Sequence, residues 1–289
     1  MAETILITGA TGGTNNFVVP ALKAKGLRLR ALVHSEAKGK SLRDAGVEVA
    51  VGDYADKASL GPALDGVGTV FFVTPANPDA NAWATSFLEV ARRTSKPRIV
   101  RLSVYGASPD GPTDNTRQHG RTDLQIVDSG LRYCILRPNF FMQNLFMSAE
   151  QLLRDGSMYW GMGDGRLAMI DVRDIADAAV AVLADNSWDG GMYELTGPEA
   201  ITFHDAARAI GAALGRPVRY VPVAPEAVEQ AMRERNLGDW FPTVMRDYSR
   251  AYAANWGARV SGLVQKLTGH APRAFEAFAR EVLAPALKR

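Results

Sequence analysis

Short apolar runs alternate with helix-length amphipathic segments from the start of the chain, and this alternation constrains the fold more than any other feature. Runs at Thr4–Thr8, Leu27–Val33, Val47–Val51, Thr69–Val73, Arg98–Ser103 and Arg132–Leu136 read as strands. Segments near 14–25, 36–45, 56–64, 79–94 and 115–129 read as the helices between them. In those segments Phe87, Val90 and Ala91, and again Leu124, Ile126 and Val127, recur at the spacing of a helix face. Strands joined through helices of this length imply successive crossovers, hence parallel pairing with helices on both faces of the sheet. The predicted fold is α/β, a doubly wound parallel sheet of Rossmann type.

After Pro138 the texture changes, with Phe140, Phe141, Met142, Phe146, Met147, Met158, Tyr159, Trp160 and Met162 crowded together. The stretch from Ala168 reads as a strand running into a helix that ends near Ala184. Met192–Thr196 and Val218–Val221 read as further strands, Phe203–Leu214 as a helix, and 225–286 as mostly helical. The expected division is a sheet domain over 1–138 and a smaller, mostly helical, substrate-covering lobe over 139–289. That lobe returns some elements to the first.

Composition removes several function classes. The net charge is +2, charged residues are 22% and hydrophobic residues 47% of 289. These values argue for a packed core and against disorder or a basic nucleic-acid-binding surface. The single cysteine, Cys134, sits in an apolar run and reads as a core thiol; alone it makes neither an internal disulfide nor a thiolate cluster. His34, His119, His204 and His270 are scattered without a metal-binding spacing, so no metal is expected. No signal-peptide pattern and no uncharged apolar run of membrane-spanning length occurs, so the expected protein is cytoplasmic, with no membrane partner.

The sharpest motif is Ile5-Leu-Ile-Thr-Gly9-Ala-Thr11-Gly12-Gly13-Thr14-Asn15, which ends the first strand and opens the first helix. A dinucleotide pyrophosphate needs backbone free of side chains, inward-pointing donors and the positive end of a helix. Gly9 suits the tight turn and Gly12 the close approach, Thr11 and Thr14 add hydroxyl donors, and Gly13 is a further cofactor-binding candidate. Two roles are open to Asn15: weakening nucleotide binding by opening the turn, or donating a hydrogen bond to a phosphate. At the end of the second strand, where a carboxylate would bind the ribose of NAD, the chain reads Val33-His34-Ser35-Glu36-Ala37-Lys38. His34, Ser35 and Lys38 suit a 2′-phosphate instead, provided Glu36 turns away, so NADP is expected as cofactor, with NAD possible.

The wording Thr-Gly-Ala-Thr-Gly resembles the NmrA-like branch of the atypical short-chain dehydrogenase/reductase superfamily. The resemblance continues through Val51-Gly-Asp53-Tyr54, through Val70-Phe-Phe-Val-Thr74-Pro75, through Leu136-Arg-Pro138-Asn-Phe-Phe-Met-Gln-Asn144 and through Asp171-Val-Arg-Asp174. It covers about two-thirds of the chain. It implies an extended Rossmann domain and a small substrate lobe, with Asp53 and Tyr54 near the adenine and Thr74, Pro75 and Pro138 along the cofactor. The superfamily's usual proton donor is the tyrosine of Tyr-x-x-x-Lys, yet no tyrosine here has lysine four positions later. In its place stands His119-Gly-Arg-Thr122-Asp123, similar to the branch's His-x-x-Thr-Glu. This makes His119, titrating near neutrality, the candidate general acid, with Ser103 and Tyr105 beside it.

Phe140, Phe141, Met142, Tyr159, Trp160 and Trp240 are the candidate substrate-pocket residues, since ligand sites are mostly apolar. Phe241, Met245, Tyr248, Tyr252 and Trp256 share a helical face, as core or as pocket wall. The expected activity is NAD(P)H-dependent reduction of an apolar or aromatic carbonyl or quinone. A non-catalytic NADP-sensing regulator, and an isomerase or lyase on the same fold, stay open as alternatives.

Overall fold

The structure, a computed structural model, describes residues 3–288. In chain order the elements begin β1 (Thr4–Ile7), α1 (Asn15–Ala24), β2 (Arg28–Val33), α2 (Glu36–Asp44), β3 (Glu48–Val51), α3 (Lys57–Leu64), β4 (Val67–Phe72) and α4 (Ala80–Arg93). Then come β5 (Arg98–Leu102), α5 (Asp114–Asp128), β6 (Tyr133–Pro138), a 3₁₀ segment over Met142–Ser148, α6 (Ala149–Asp155), β7 (Ser157–Trp160), α7 (Val172–Ala184) and β8 (Met192–Leu195). The chain ends with α8 (Phe203–Leu214), β9 (Arg219–Pro222), α9 (Pro225–Glu234), α10 (Trp240–Ala253), α11 (Leu263–Thr268) and short helical turns over Phe275–Leu287.

Seven strands form one sheet in the order β3-β2-β1-β4-β5-β6-β8. The pairs among β3, β2, β1, β4, β5 and β6 are parallel. The expected Rossmann-like architecture is the one observed. The central strands β1 and β5 are buried at every position, whereas the edge strand β3 is not, as helices on both faces of an interior strand require. The first and fourth strands lie side by side, so the chain reverses direction across the sheet at the carboxyl end of β1, the switch point where doubly wound sheets bind ligands.

The chain divides into two compact units. One gathers residues through Gly111 with Thr116–Arg137 and Ala176–Tyr193; the other takes Pro112–Asn115, Pro138–Ile175 and the chain from Glu194 onward. The first unit's core packs Leu6, Val70, Phe72, Phe87, Ile99 and Ile135. The second packs Phe140, Trp160, Phe203, Tyr252, Phe275 and Phe278.

Two local expectations are corrected. Residues 168–171 are not a strand: Ile170 makes a single bridge with Phe141 and Leu167 a single bridge with Ile201, so pairing moves to a different partner before a ladder can grow. Conversely Ser157–Trp160, hidden in the Met- and aromatic-rich stretch, is a strand, parallel to β9 in a two-stranded sheet. Only Tyr159 of those four is exposed, so no polar alternation advertised it. Among the described residues, no helix is long and apolar enough to cross a membrane.

Candidate cofactor and reaction site

Thr8, fully buried, ties the end of β1 to the end of β4: its Oγ1 donates to Val73 O at 2.9 Å and accepts from Val73 N at 2.7 Å. In the sequence it opens the Thr-Gly-Ala-Thr-Gly wording, but nothing local shows that it bonds to a strand end 65 positions away. Beyond it Gly9 takes φ +60°, a left-handed conformation that a side chain would strain, and its carbonyl accepts the Gly12 N–H at 2.8 Å. Thr11, Gly12 and Gly13 are exposed, while Thr14 is buried at the entry to α1. Among the described residues, the N–H groups of Gly13 and Thr14 have no backbone acceptor, which leaves fixed donors at the positive end of α1. A Cβ at Gly12 would come within 3.1 Å of Gly9 O, whereas one at Gly13 would meet nothing within 4 Å. The turn therefore fits a pyrophosphate.

Asn15 takes neither role foreseen for it. Its side chain is buried, and Nδ2 donates to Thr8 O at 3.1 Å and to Gly9 O at 2.9 Å. Both amide hydrogens are thus spent on the turn's own carbonyls, so Asn15 staples the turn and has no proton left for a phosphate. Asn15→Ala should cost about 1–3 kcal/mol, because it takes the side-chain donor from Thr8 O and leaves Gly9 O with the Gly12 N–H alone. Thermal melting should show the loss together with weaker nucleotide binding; weaker binding at an unchanged melting temperature would instead mean direct phosphate contact.

At the end of β2, His34 and Lys38 are exposed and Ser35 stands at the entry to α2. Glu36, the residue that would oppose a phosphate, is paired with Arg43. After β3, Asp53 caps its own turn, its Oδ1 accepting Ala55 N–H at 2.9 Å. The Tyr54 hydroxyl donates to Val73 O at 3.0 Å, its ring stacks on Trp83 at 6.1 Å, and burial pushes its phenol far above the ordinary value. Trp83 was missed because one aromatic on a helix carries no motif. Pro75 is exposed just after β4, and Pro138 is buried at the end of β6.

Below the ends of β5 and β6 lies a buried charged cluster that the sequence only half disclosed. Arg101 is 1% exposed and Asp123 0%, though each sits in a segment that otherwise reads as ordinary strand or helix. Asp123 Oδ2 accepts Ser103 Oγ at 2.9 Å, Arg137 Nε at 2.9 Å and Arg137 Nη2 at 2.8 Å. Asp123 Oδ1 lies 3.9 Å from Arg101 Nε, and neither atom has a hydrogen-bond partner. Arg101 Nη1 donates to Thr74 Oγ1 at 3.0 Å, and its guanidinium lies 5.0 Å from the Phe72 ring centre. Burial pushes the Asp123 carboxyl up, while the two guanidiniums and the Ser103 hydrogen bond oppose that rise and favour the carboxylate.

His119, half-buried on α5, places Nδ1 3.3 Å from Arg101 Nη2 and 3.4 Å from Ser103 Oγ. A guanidinium only donates, so Nδ1 must be the acceptor and the ring proton sits on Nε2. The Ser103 proton is already given to Asp123, so it is not available to the histidine. Burial first, then the positive Arg101 and Arg137, push the imidazole well below its usual value. The expected titration near neutrality is therefore corrected: His119 is neutral at pH 7, a fixed Nε2–H donor. Gly120 sets its position, since a Cβ there would fall 2.2 Å from the Ser108 carbonyl carbon; only glycine lets α5 seat this closely. Tyr105 is buried, 7% exposed, two residues beyond Ser103.

In the second unit, three of the candidate pocket residues turn out to be core. Phe140 packs edge-on against Trp160, Phe203 and Tyr252, Met142 is 1% exposed, and Trp160 Nε1 donates to Ser148 Oγ at 2.8 Å. Phe141 is half-buried, Tyr159 is exposed, and Trp240 Nε1 donates to Asp114 Oδ2 at 2.5 Å. Of the shared face on α10, Met245 and Tyr252 are buried core, while Tyr248 accepts Asn115 Nδ2 at 2.8 Å and Trp256 lies beyond the helix end. Burial pushes the Cys134 thiol up to about 12, in keeping with its reading as an unreactive core residue.

A family described as NAD(P)H-binding matches residues 9–186. The NAD(P)H azoreductase of Xenophilus azovorans is 35% identical over 276 residues, 96% of each chain. The NADPH-dependent quinone oxidoreductase of Escherichia coli, solved in complex with NADPH, superposes with a TM-score of 0.89 at 26% identity, covering 96% of this chain and 99% of that one. The transcriptional regulator NmrA, solved with NADP, shares the fold with a TM-score of 0.81 at 20% identity over 99% of this chain and 97% of its own. The chain thus belongs to the NAD(P)H-binding family of Rossmann-type atypical reductases, and is an NAD(P)H-dependent oxidoreductase.

Proposed function

We propose that the enzyme reduces an apolar aromatic, quinone-type or azo-type small molecule with NADPH, and does so without a Tyr-x-x-x-Lys pair. The observation that carries this reading is the locked, neutral His119, whose Nδ1 faces Arg101 and whose Nε2–H has no partner among the described residues. When bound, NADPH supplies the hydride. The turn from Gly9 to Thr14 holds the pyrophosphate, with Asn15 bracing it, while Tyr54 and Trp83 wall the adenine side. His119 Nε2–H hydrogen-bonds the acceptor heteroatom as negative charge develops there, and the two guanidiniums behind it favour that charge. A neutral imidazole is a poor acid, so the proton completing the reduction comes from solvent. This suits acceptors such as quinones, whose reduced anions are stabilised by conjugation. Ser103 in this reading positions Asp123 and donates no proton to substrate, and Tyr105 walls the site. The names of the relatives, an azoreductase and a quinone oxidoreductase, support the same substrate class. We place the enzyme in the cytoplasm, with small molecules as its partners.

Steady-state oxidation of NADPH against a panel of benzoquinones, naphthoquinones and azo compounds tests the reading. One NADPH consumed per two-electron reduction is expected, with no ionisation of kcat/KM between about pH 6 and 8 assignable to His119. A parent enzyme that turns over nothing in the panel overturns it and favours the sensor alternative. Cofactor choice has its own test. His34→Ala and Lys38→Ala should each weaken NADPH by roughly 10-fold or more, from the loss of a charge-assisted phosphate contact, and leave NADH nearly unchanged. Equal losses for the two cofactors would sink the NADP preference.

A further inference from the structure

The charges of the buried cluster below the ends of β5 and β6 do not cancel. Arg101 and Arg137 share one carboxylate, Asp123, and no other acidic side chain pairs with either among the described residues. His119 is neutral, and the Tyr54 phenol, the other titratable group in reach of Arg101, is held protonated by burial. Two guanidiniums against one carboxylate leave a net positive charge. Charge withdrawn from water without a counter-charge is costly, so the cluster favours an anion as a further partner. Its members differ in access. Arg101 and Asp123 are sealed, whereas the Arg137 side chain keeps 17% of its surface and His119 is half-buried. Asp123 Oδ2 takes Nε and Nη2 from one edge of the Arg137 guanidinium, at 2.9 and 2.8 Å, and so fixes the plane of the fork. Nη1, on the other edge, has no partner among the described residues. Ser103 Oγ, 2.9 Å from the same Asp123 oxygen and 3.4 Å from His119 Nδ1, lies between carboxylate and imidazole. The Nε2–H of that imidazole is the second donor left over.

We propose that Arg137 Nη1 and His119 Nε2–H together form an oxyanion site that binds its ligands as phenolates. The assignment rests on the quinone reading above: a quinone that gains hydride becomes the hydroquinone monoanion, and the site holds that anion until a solvent proton completes the reduction. Arg137 thus contacts the reacting oxygen, and Asp123 positions Arg137. Charge-assisted donors fixed before the charge arrives stabilise it most, because nothing has to reorganise. Phenols that cannot be reduced occupy the same place as ionised inhibitors.

Absorbance titration of 4-nitrophenol with the protein, without added nucleotide so that no nicotinamide charge contributes, reads the ionisation of the bound probe directly. Its pKa should fall by at least about one unit on binding, a tenfold or greater preference for the phenolate. 4-Nitroanisole, which cannot ionise, should bind at least about tenfold more weakly than the phenolate. Arg137→Gln, which still offers Asp123 a donor, should lose most of the shift. Arg137→Lys, which restores the charge, should recover much of it, and thermal melting checks that both variants fold. A parent that does not bind 4-nitrophenol, a bound probe with unshifted ionisation, or a shift that survives Arg137→Gln overturns the proposal. Because the titration involves no turnover, a protein inert toward every quinone that still ionises the probe loses the proposed activity and keeps the anion site. The two readings therefore fail separately.

Discussion

Gly13→Val should abolish NADPH binding and leave the apoprotein's melting curve in place. A Cβ at Gly13 meets no protein atom within 4 Å, and the residue is exposed and not left-handed, so the fold gains no strain. The added methyls would stand in front of the N–H groups of Gly13 and Thr14, where the pyrophosphate must come. Losing two charge-assisted hydrogen bonds at about 1.5–3 kcal/mol each weakens binding by roughly 10²–10⁴. Gly12→Val is the poorer probe, because its Cβ already presses on Gly9 O at 3.1 Å and the turn itself would shift. Calorimetric titration with NADPH alongside thermal melting decides the matter. Retained affinity in Gly13→Val would remove the glycine turn from the binding site.

Asp123→Asn should be the most destabilising polar substitution in the first unit, by about 3–5 kcal/mol in urea unfolding, because it strands buried guanidinium charge. Arg101 is 1% exposed, and Asp123 is its only ion-pair partner among the described residues. Arg101→Met should cost much less, since Asp123 keeps Arg137 and Ser103, and the double variant should recover most of the loss of Asp123→Asn. Arg101→Met also tests the tautomer argument. Without the neighbouring guanidinium, the His119 pKa rises toward its ordinary value, and kcat/KM gains an ionisation that the parent lacks. The same histidine shapes stability. Its folded-state pKa lies below the unfolded one, so the unfolded chain binds the extra proton as pH falls below about 6.5, and stability drops by up to about 1.4 kcal/mol per pH unit. His119→Gln should flatten that acid limb; an unchanged limb would mean that His119 titrates freely in the native protein.

The sequence by itself determined the sheet and the glycine turn. Both are local: strand and helix periods repeat within a few residues of one another, and the Gly9–Thr14 loop needs only its flanking strand and helix to be recognisable. Tertiary structure decided what the polar residues do. Arg101 and Asp123 lie 22 positions apart, and nothing local marks either as buried; only the parallel alignment of β5 with the packing of α5 brings them to 3.9 Å. Arg101, so placed, fixes the proton of His119 on Nε2, and burial first, then the Arg101 and Arg137 charges, lower its pKa. Asn15 likewise reads as a defect in a glycine motif until its amide is seen to hold Thr8 O and Gly9 O. Phe140, Met142 and Trp160 have the composition of a ligand pocket but the packing of a core, because an apolar side chain does not encode whether its neighbours will be protein or ligand. Patterns in sequence report which face a residue turns inward; hydrogen bonds and charge depend on partners that only folding supplies.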